Sequence, residues 1–144
     1  MVKIFLIVGD PSADTHTARL VAQLKKLFPQ SQFFGTGGEQ MKKEGVKLYY
    51  HVSQLSILGF SEIIKHLAFM REVKNTLLKA IAEEKPDLII LVDYPGFNLR
   101  LAKEIKKLYS LPLVYFIGPQ VWAWGKNRIK LIKKLIDKLI VILP

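Results

Sequence analysis

The fold class of this chain follows from one stretch of its sequence, Ile4-Phe5-Leu6-Ile7-Val8, a run of five apolar residues that Gly9 and Asp10 end. A continuous apolar run of this length is typical of a strand that is covered on both faces. Two more such runs follow at 88–92 and 113–117, and the segments between them carry apolar residues at helical spacing. Strands that alternate with helices predict an α/β fold with a doubly wound, mainly parallel sheet.

The predicted elements alternate from one end of the chain to the other. Ser12 is the predicted N-cap of the first helix, and Pro29 prevents that helix from continuing. In the longest helical segment, 60–84, two apolar stripes lie on different faces, so a break or kink is predicted at 67–69. The sequence thus predicts one domain over 1–144, with strands at 4–8, 32–35, 46–51, 88–92, 113–117 and 139–143 and helices at 13–28, 39–44, 60–84, 97–109 and 127–138.

The composition narrows the class of protein. The chain has 144 residues and no cysteine, which excludes disulfides and cysteine-based metal or redox sites. Its three histidines share no metal-ligand spacing, so neither a metal nor another cofactor is predicted. No apolar run approaches the ~18 residues of a membrane-spanning helix, and the first run is short for the core of a signal peptide. A soluble, cytoplasmic protein is therefore expected.

The net charge of +10 comes from 22 lysines and arginines against 12 acidic residues. This excess favours an acidic partner, such as anionic lipid, a phosphorylated substrate or nucleic acid. The alternative is a lysine-rich, solvated surface without a specific partner. Because the sequence contains no helix-turn-helix, zinc-finger or RNP motif, nucleic acid is the partner that it favours least.

Three polar or aromatic segments each follow an apolar strand, and they are named here the first loop (9–16), the second loop (92–98) and the third loop (118–124). In an open α/β sheet, ligands bind outside the carboxyl ends of the strands, so these loops form the candidate site. In the first loop, Gly9, Asp10 and Ser12 precede a helix whose N-terminus could hold a phosphate. A simple capped turn without a ligand is the alternative.

Asp93, in the second loop, is the candidate catalytic base. It lies at the end of a strand of apolar residues, where partial loss of hydration makes a carboxylate a better general base. Pro95 and Gly96 end the strand, and Asn98 is positioned to cap the helix that follows. The alternative is that Asp93 only accepts hydrogen bonds from a neighbouring loop.

The third loop contains the two tryptophans of the chain, Trp122 and Trp124, with Gln120 before them. Tryptophan is large and amphipathic, so the pair predicts an aromatic platform beside a ligand. Arg128 follows closely, with a lysine two residues away on either side, and these cations would meet a phosphate. The alternative is a loop that its aromatic residues anchor to the core, next to the solvated face of a helix.

Together the three loops resemble the lipid-A-disaccharide synthase family. The first loop matches that family's Gly-Glu-x-Ser-Gly-Asp-x-His, the second its Ile-Asp-x-Pro-x-Phe-Asn, and the third its Ser-Pro-x-Val-Trp-Ala-Trp. Two further matches lie at 35–41 and 55–59, so the resemblance runs in order along nearly the whole chain. The departures from the family pattern are Asp10, Ala13, Thr17, Gly118 and Gly125, none of which removes the candidate base.

The resemblance implies an inverting glycosyltransferase of the GT-B type, in which this chain is the Rossmann-like, acceptor-side domain and a C-terminal domain outside it binds the UDP-sugar. The family joins UDP-2,3-diacylglucosamine to 2,3-diacylglucosamine 1-phosphate, releases UDP and needs no metal. Asp93 is the implied base, and the chain alone is expected to be inactive. The implied substrate-binding residues are Gly9, Asp10, Ser12, Asn98, Gln120, Trp122, Trp124 and Arg128.

The start of the long helical segment predicts contact with a membrane. Large apolar residues stand there among Lys65, His66 and Arg71, as in an amphipathic interfacial helix. Because acylated substrates lie at a lipid surface, the chain is expected to associate peripherally with the inner membrane. The alternatives are cover by a second helix or by a homodimer partner, and a catalytically silent domain that binds acidic lipid or a partner protein. The predicted membrane-contact residues are Phe60, Ile63, Ile64, Leu67, Phe69 and Met70.

Overall fold

The computed structural model describes residues 1–55, 63–117 and 125–141, and for residues 63–65 and 117 it describes the main chain only. Within these ranges the strands are β1 (Lys3–Val8), β2 (Gln32–Gly37), β3 (Lys47–His51), β4 (Leu88–Val92), β5 (Leu113–Ile117) and β6 (Lys138–Val141). The helices are α1 (Pro11–Leu27), α2 (Glu39–Lys43), α3 (Val52–Leu55), α4 (Ile63–Glu84), α5 (Pro95–Leu108) and α6 (Lys126–Leu135).

The described strands form one sheet in the order β3-β2-β1-β4-β5-β6, and every neighbouring pair is parallel. The chain moves outward from β1 in one direction, then returns to β4 on the other side of β1 and moves outward again. This reversal is a topological switch point, and it lies between β1 and β4. The predicted α/β fold class, with a doubly wound parallel sheet, is confirmed.

The central strands β1 and β4 are buried on both faces of the sheet, which explains their continuous apolar runs. Phe5 and Ile7 of β1 belong to the core layer that also contains the buried residues of α4 and α5. Leu6 and Val8 belong to the opposite layer, together with the buried residues of α1 and α2. Because successive side chains of a strand point to opposite faces, β1 is apolar at every position from Ile4 to Val8 to serve both layers.

The prediction that Ser12 caps the first helix is wrong. Asp10 is the N-cap of α1, and its side-chain oxygen Oδ1 accepts a hydrogen bond from the main-chain nitrogen of Ala13 at 2.8 Å. Pro11 occupies the start of the helix, where its missing N–H costs nothing. Ser12 is therefore already inside the first turn, and its side chain is exposed.

A break or kink was predicted at 67–69, and the break is wrong, because α4 is one continuous helix of 22 residues. Val73, Leu77 and Ile81 are almost completely buried and form its core face, to which Phe69 also belongs. The other stripe is confined to the first turns, where Leu67 is 53% exposed. One continuous helix thus carries both stripes, and the stripe with Val73, Leu77 and Ile81 packs into the core.

Two boundaries of the described elements differ from prediction in ways that matter for the site. Helix α5 begins at Pro95, with Tyr94 as its N-cap residue, so Asn98 lies within the first turn and does not cap the helix. Strand β6 begins at Lys138, and Leu139, Ile140 and Val141 are all exposed. The short helix α3 was not predicted, since its four residues are too few to show a period.

Gly35 allows β2 to pack beside β1. Its φ of +141° disfavours other residues, and a Cβ at this position would overlap the carbonyl oxygen of Leu6 in the paired strand. The register between β2 and β3 shifts directly after Gly35, as at a β-bulge. Gly96, in contrast, has no atom within 4 Å of the position that its Cβ would occupy.

We expect Gly35→Ala to lower the free energy of unfolding by about 2 kcal/mol or more, because it combines backbone strain with overpacking. Gly96→Ala, the matched control, should instead raise it by about 0.5–1 kcal/mol, since alanine favours a helix. Urea unfolding of the two variants and the unaltered chain measures both effects. Equal stability of the two variants would show that the close approach of β1 and β2 at Gly35 does not constrain the fold.

Candidate functional site

The first and second loops meet at the switch point of the sheet. In the register of β1 and β4, Val8 is the partner of Val92, so Gly9 and Asp93 follow from adjacent strand ends. A crevice outside the carboxyl ends of the strands is where ligands bind in sheets of this kind. The structure therefore brings together the two loops that the sequence predicted to share a site.

The main chain turns sharply at Asp93 and Tyr94. Both residues have positive φ angles, 43° and 52°, which is the left-handed region. For residues other than glycine such a conformation costs about 1–3 kcal/mol each, and it persists only where the surroundings enforce it. Such turns cluster at functional sites, so the strain itself marks this loop as a candidate.

Hydrogen bonds hold the Asp93 main chain in this turn. The carbonyl oxygen of Asp93 accepts from the Tyr115 hydroxyl at 2.6 Å and from Asn98 Nδ2 at 2.8 Å. Asn98 Nδ2 also donates to the Val92 carbonyl oxygen at 3.2 Å, and the Asp93 nitrogen donates to the Phe116 carbonyl oxygen at 2.9 Å. Asn98 is completely buried, so its amide group holds the loop from inside the protein and does not face solvent.

The Tyr115 hydroxyl is a dependable donor in this arrangement. Burial raises its pKa well above the usual range, and the nearby Asp93 carboxylate acts in the same direction. The charge of Arg128, which is exposed on α6, acts in the opposite direction, so this cation lies within electrostatic reach of the same loop. The hydroxyl thus keeps its proton at neutral pH and donates a hydrogen bond to the Asp93 carbonyl oxygen.

Gly9 makes room for the ring of Tyr94. A Cβ on Gly9 would overlap that ring, and Gly9 itself is buried. Burial raises the pKa of the Tyr94 hydroxyl, and the charge of Asp10 contributes in the same direction. Asp10 caps α1 and Ser12 is exposed. The first loop therefore forms a capped turn, which was the alternative to a phosphate-binding loop. A substrate-binding role for these three residues stays a prediction.

Asp14 has a role that sequence reasoning missed. Its carboxylate is buried, and it accepts hydrogen bonds from the main-chain nitrogens of Gly38, Gln40 and Met41 at 2.8, 3.0 and 3.0 Å. It therefore satisfies the free N–H groups at the start of α2 and ties the first loop to the loop after β2. Local sequence carries no signal for this contact, because its partners are 24–27 residues away.

A cavity of about 500 Å³ lies between α4 and α5, next to the strained turn. Its volume falls within the range of about 300–1,000 Å³ that is usual for small-molecule sites. It combines an apolar wall with four basic side chains and is here named the α4–α5 cavity. Its lining residues are His66, Leu67, Met70, Arg71 and Lys74 from α4 and Tyr94, Pro95, Gly96, Phe97 and Arg100 from α5 and its N-cap.

The predicted membrane-contact residues divide into distinct groups. Leu67 is exposed at the cavity, and Met70 is half-buried with its sulfur 4.0 Å from the Tyr94 hydroxyl. Phe69 packs on the ring of Tyr50, with ring centroids 6.1 Å apart, so it belongs to the core face of α4. The side chains of Ile63 and Ile64, and the whole of Phe60, lie outside the described part of the chain.

The third loop, with Gln120, Trp122 and Trp124, also lies outside the described residues. Among the residues that are described, no group of three or more histidine, aspartate or glutamate side chains is arranged to hold a metal ion. None of the helices in the described ranges combines the length and the apolar character that crossing a bilayer requires.

We expect Tyr115→Phe to lower the free energy of unfolding by about 0.5–1.5 kcal/mol, because it removes one buried hydrogen bond to the strained turn while the Asn98 amide still donates to the same oxygen. The matched control is Tyr109→Phe, whose hydroxyl reaches the Leu78 carbonyl oxygen only at 3.5 Å. That control should change stability less. Urea unfolding measures the stability of both variants. A larger loss of stability for the control would show that the Tyr115 hydroxyl does not hold the Asp93 turn.

Known structures share this fold at low sequence identity. A UDP-GlcNAc 2-epimerase from Neisseria meningitidis, solved with UDP-GlcNAc bound, superposes with a TM-score of 0.62 and 13% identity, covering 94% of this chain and 39% of that one. A Vibrio parahaemolyticus protein of unknown function gives a TM-score of 0.54 and 16% identity over 98% of this chain. At such identities the likeness shows the fold alone.

Sequence comparison is more specific. Residues 4–144 match the family model for lipid-A-disaccharide synthetase. A lipid-A-disaccharide synthase from Myxococcus xanthus is 41% identical over 142 residues, and lipid-A-disaccharide synthase 1 from Legionella pneumophila strain Lens is 43% identical over 142 residues. These matches cover 99% of this chain but only 37% of each relative's length. With the family model matching nearly the whole sequence, the chain belongs to the lipid-A-disaccharide synthetase family.

Proposed function

We propose that this chain is the acceptor-side domain of an inverting glycosyltransferase that joins UDP-2,3-diacylglucosamine to 2,3-diacylglucosamine 1-phosphate and releases UDP. Family membership supports the reaction, and the relatives carry the name of that activity. Because the chain spans only 37% of those relatives, the proposal assigns the activity to a protein of their full length. The UDP-sugar is bound mainly by the part that lies outside this chain.

The observation that carries the proposal is the position of Asp93. Its main chain is held in a strained turn at the switch point of the sheet, directly beside the α4–α5 cavity. A general base must be held within hydrogen-bond reach of the proton that it takes, and a rigid turn supplies that positioning. In this loop the hydrogen bonds from Tyr115 and Asn98 fix the main chain from which the Asp93 side chain extends.

In the proposed step, a hydroxyl oxygen of the acceptor attacks the anomeric carbon of the UDP-sugar. The bond from that carbon to the UDP oxygen breaks as the new glycosidic bond forms, so the configuration inverts and UDP leaves with the electron pair. Asp93 accepts the proton of the attacking hydroxyl. Asn98 and Tyr115 contribute by holding the turn, and Gln120, Trp122, Trp124 and Arg128 are proposed to border the site, because they follow β5, the strand next to β4.

A catalytically silent domain that binds acidic lipid or a partner protein is the second candidate. The net charge of +10 favours an acidic partner, and Leu139, Ile140 and Val141 of β6 present apolar surface to solvent. The two candidates differ in one measurable respect, which is whether a full-length protein that contains this chain transfers sugar.

The test of the base uses a chimera in which this chain replaces the 142 residues that it matches in the Myxococcus xanthus relative. We expect the chimera to transfer sugar, and Asp93→Asn to lower its kcat by about 10²–10⁴-fold, the usual contribution of a general base. The assay measures disaccharide formation from the two acylated sugars. Near-unaltered transfer by the Asp93→Asn chimera would exclude Asp93 as the base, and an inactive chimera would favour the silent domain.

Two controls accompany this test. Asp93→Asn in the 144-residue chain should leave the thermal midpoint within a few degrees, since asparagine also tolerates the left-handed conformation that Asp93 adopts. A much lower midpoint would mean that the carboxylate is structural. The 144-residue chain alone should show no transfer, so disaccharide formation by it would contradict the proposed division of the site between two domains.

We also propose that the chain contacts an anionic membrane through the first turns of α4, as a protein that associates peripherally with the inner membrane. Leu67 supports this role, because it is exposed and because Arg71 and Lys74 follow it on the same helical face. Phe69 is no longer part of the proposed contact, since it packs on Tyr50. A basic flank beside exposed apolar groups is the pattern of an interfacial helix.

We expect reversible binding of the chain to vesicles that contain phosphatidylglycerol, and weaker binding at high salt, because surface charges are screened. Leu67→Ser should weaken this binding about ten-fold or more, since burying a leucine contributes about 1.5–3 kcal/mol. The matched control is Leu108→Ser on α5, a residue that is 58% exposed at the far end of its helix. Vesicle co-sedimentation measures both, and equal effects would mean that Leu67 has no specific contact with lipid.

A further inference from the structure

The α4–α5 cavity concentrates positive charge. His66, Arg71 and Lys74 reach it from α4 and Arg100 reaches it from α5, while none of its described lining residues carries a carboxylate. Within the described part of the chain, Arg71, Lys74 and Arg100 make no ion pair. Cations gathered in a concave, partly apolar site repel one another until an anion enters, so the cavity favours an anionic ligand.

The shape of the cationic groups narrows the class of anion that the cavity favours. Arg71 and Arg100 carry planar guanidinium groups, which suit the bidentate recognition of phosphate or carboxylate oxygens. His66 also lines the cavity, and its Nδ1 is buried without a hydrogen-bond partner among the described residues. A buried polar atom without a partner is costly, and an acceptor oxygen of a ligand would relieve that cost.

Apolar side chains from both helices also line the cavity. Leu67 and Met70 lie on the same face of α4 as Arg71, and Phe97 and Pro95 come from α5. Leu67 lines the cavity and is also exposed, so the apolar lining reaches the surface. A ligand that fills the cavity therefore carries a charged group and an apolar chain on the same molecule.

We propose that the α4–α5 cavity binds a phosphate monoester on an acylated carrier, namely the 1-phosphate end of the acceptor. Arg71 and Arg100 contact the phosphate, and Leu67 and Met70 contact an acyl chain that leaves toward the lipid surface. The identity of the carrier rests on the proposed function, whereas the recognition of phosphate joined to an apolar chain rests only on the cavity. Tyr94 and Pro95 line the cavity next to Asp93, so the bound acceptor lies beside the proposed base.

The first experiment uses the 144-residue chain and monomeric dodecyl phosphate, below its critical micelle concentration, in a calorimetric titration. We expect binding that Arg71→Gln and Arg100→Gln each weaken about ten-fold or more, since hydrogen bonds to charged groups are the strong ones. Arg19→Gln, an exposed arginine on α1 outside the cavity, is the matched control and should leave binding unchanged. All three positions are exposed, so thermal midpoints should confirm that the variants fold.

Two further ligands test whether the phosphate group or the apolar chain is responsible for binding. Dodecyl maltoside carries the same chain without charge and should bind at least ten-fold more weakly, and inorganic phosphate, which lacks the chain, should also bind more weakly. Dodecyl maltoside binding as tightly as dodecyl phosphate would overturn the proposal in favour of an apolar pocket. If Arg71→Gln and Arg100→Gln weaken binding to phosphatidylglycerol vesicles but not to dodecyl phosphate, the cations interact with a lipid surface and the cavity proposal is wrong.

The chimera separates this inference from the proposed function. Arg100→Gln should raise the KM for the acceptor about ten-fold and leave the KM for the UDP-sugar unchanged. Transfer with an unaltered acceptor KM in that variant would overturn the cavity proposal and leave the proposed function standing. An inactive chimera, combined with dodecyl phosphate binding that depends on Arg71 and Arg100, would overturn the proposed function and leave the phosphate site standing.

Discussion

The parallel pairing of β1 with β4 is the constraint on which the candidate site depends. It sets Val8 beside Val92, so the turns that follow the two strands emerge side by side at the reversal of the strand order. The pairing is tight because β1 is apolar at nearly every position and lies between β2 and β4, buried on both faces. Gly35 lets β2 approach β1 from the other side, and Thr36 Oγ1 bonds to both the nitrogen and the carbonyl oxygen of Val8. The end of β1 is therefore held in place before any side chain of the site is considered.

The Asp93 turn, which follows β4, has a strained main chain that hydrogen bonds stabilise. Two successive residues in the left-handed region are unfavourable alone, and hydrogen bonds from Tyr115 and Asn98 offset that cost. Both donors are buried, so they are shielded from competition with water. Gly9 completes the arrangement by leaving space for the Tyr94 ring. A side chain that extends from a main chain held in this way starts from a defined position, which is a property that a positioned base requires.

Helix α4 connects this turn to the surface. Its core face, with Val73 and Leu77, anchors the helix on the sheet, so its first turns can carry a different pattern without loss of packing. There the side facing α5 is both apolar and basic, and together with Arg100 it forms a cavity beside Asp93. A single helix thus supports the fold along one face and presents a face suited to an acylated anion along another. The proposed membrane contact and the proposed phosphate site are adjacent parts of that second face.

The sequence by itself determined the strands, their alternation with helices, the α/β class, the family, and the location of Asp93 at the end of a strand, because each depends on a local pattern or a motif. Tertiary structure alone decided which residues meet. Asp14 caps α2 through main-chain nitrogens that lie 24–27 residues later in the chain. The two stripes of 60–84 predicted a break or kink, since periodicity cannot show that Leu67, in the other stripe, is exposed on a continuous helix. Arg71 and Arg100 lie on different helices, so their shared cavity exists only once both helices have packed on the same face of the sheet.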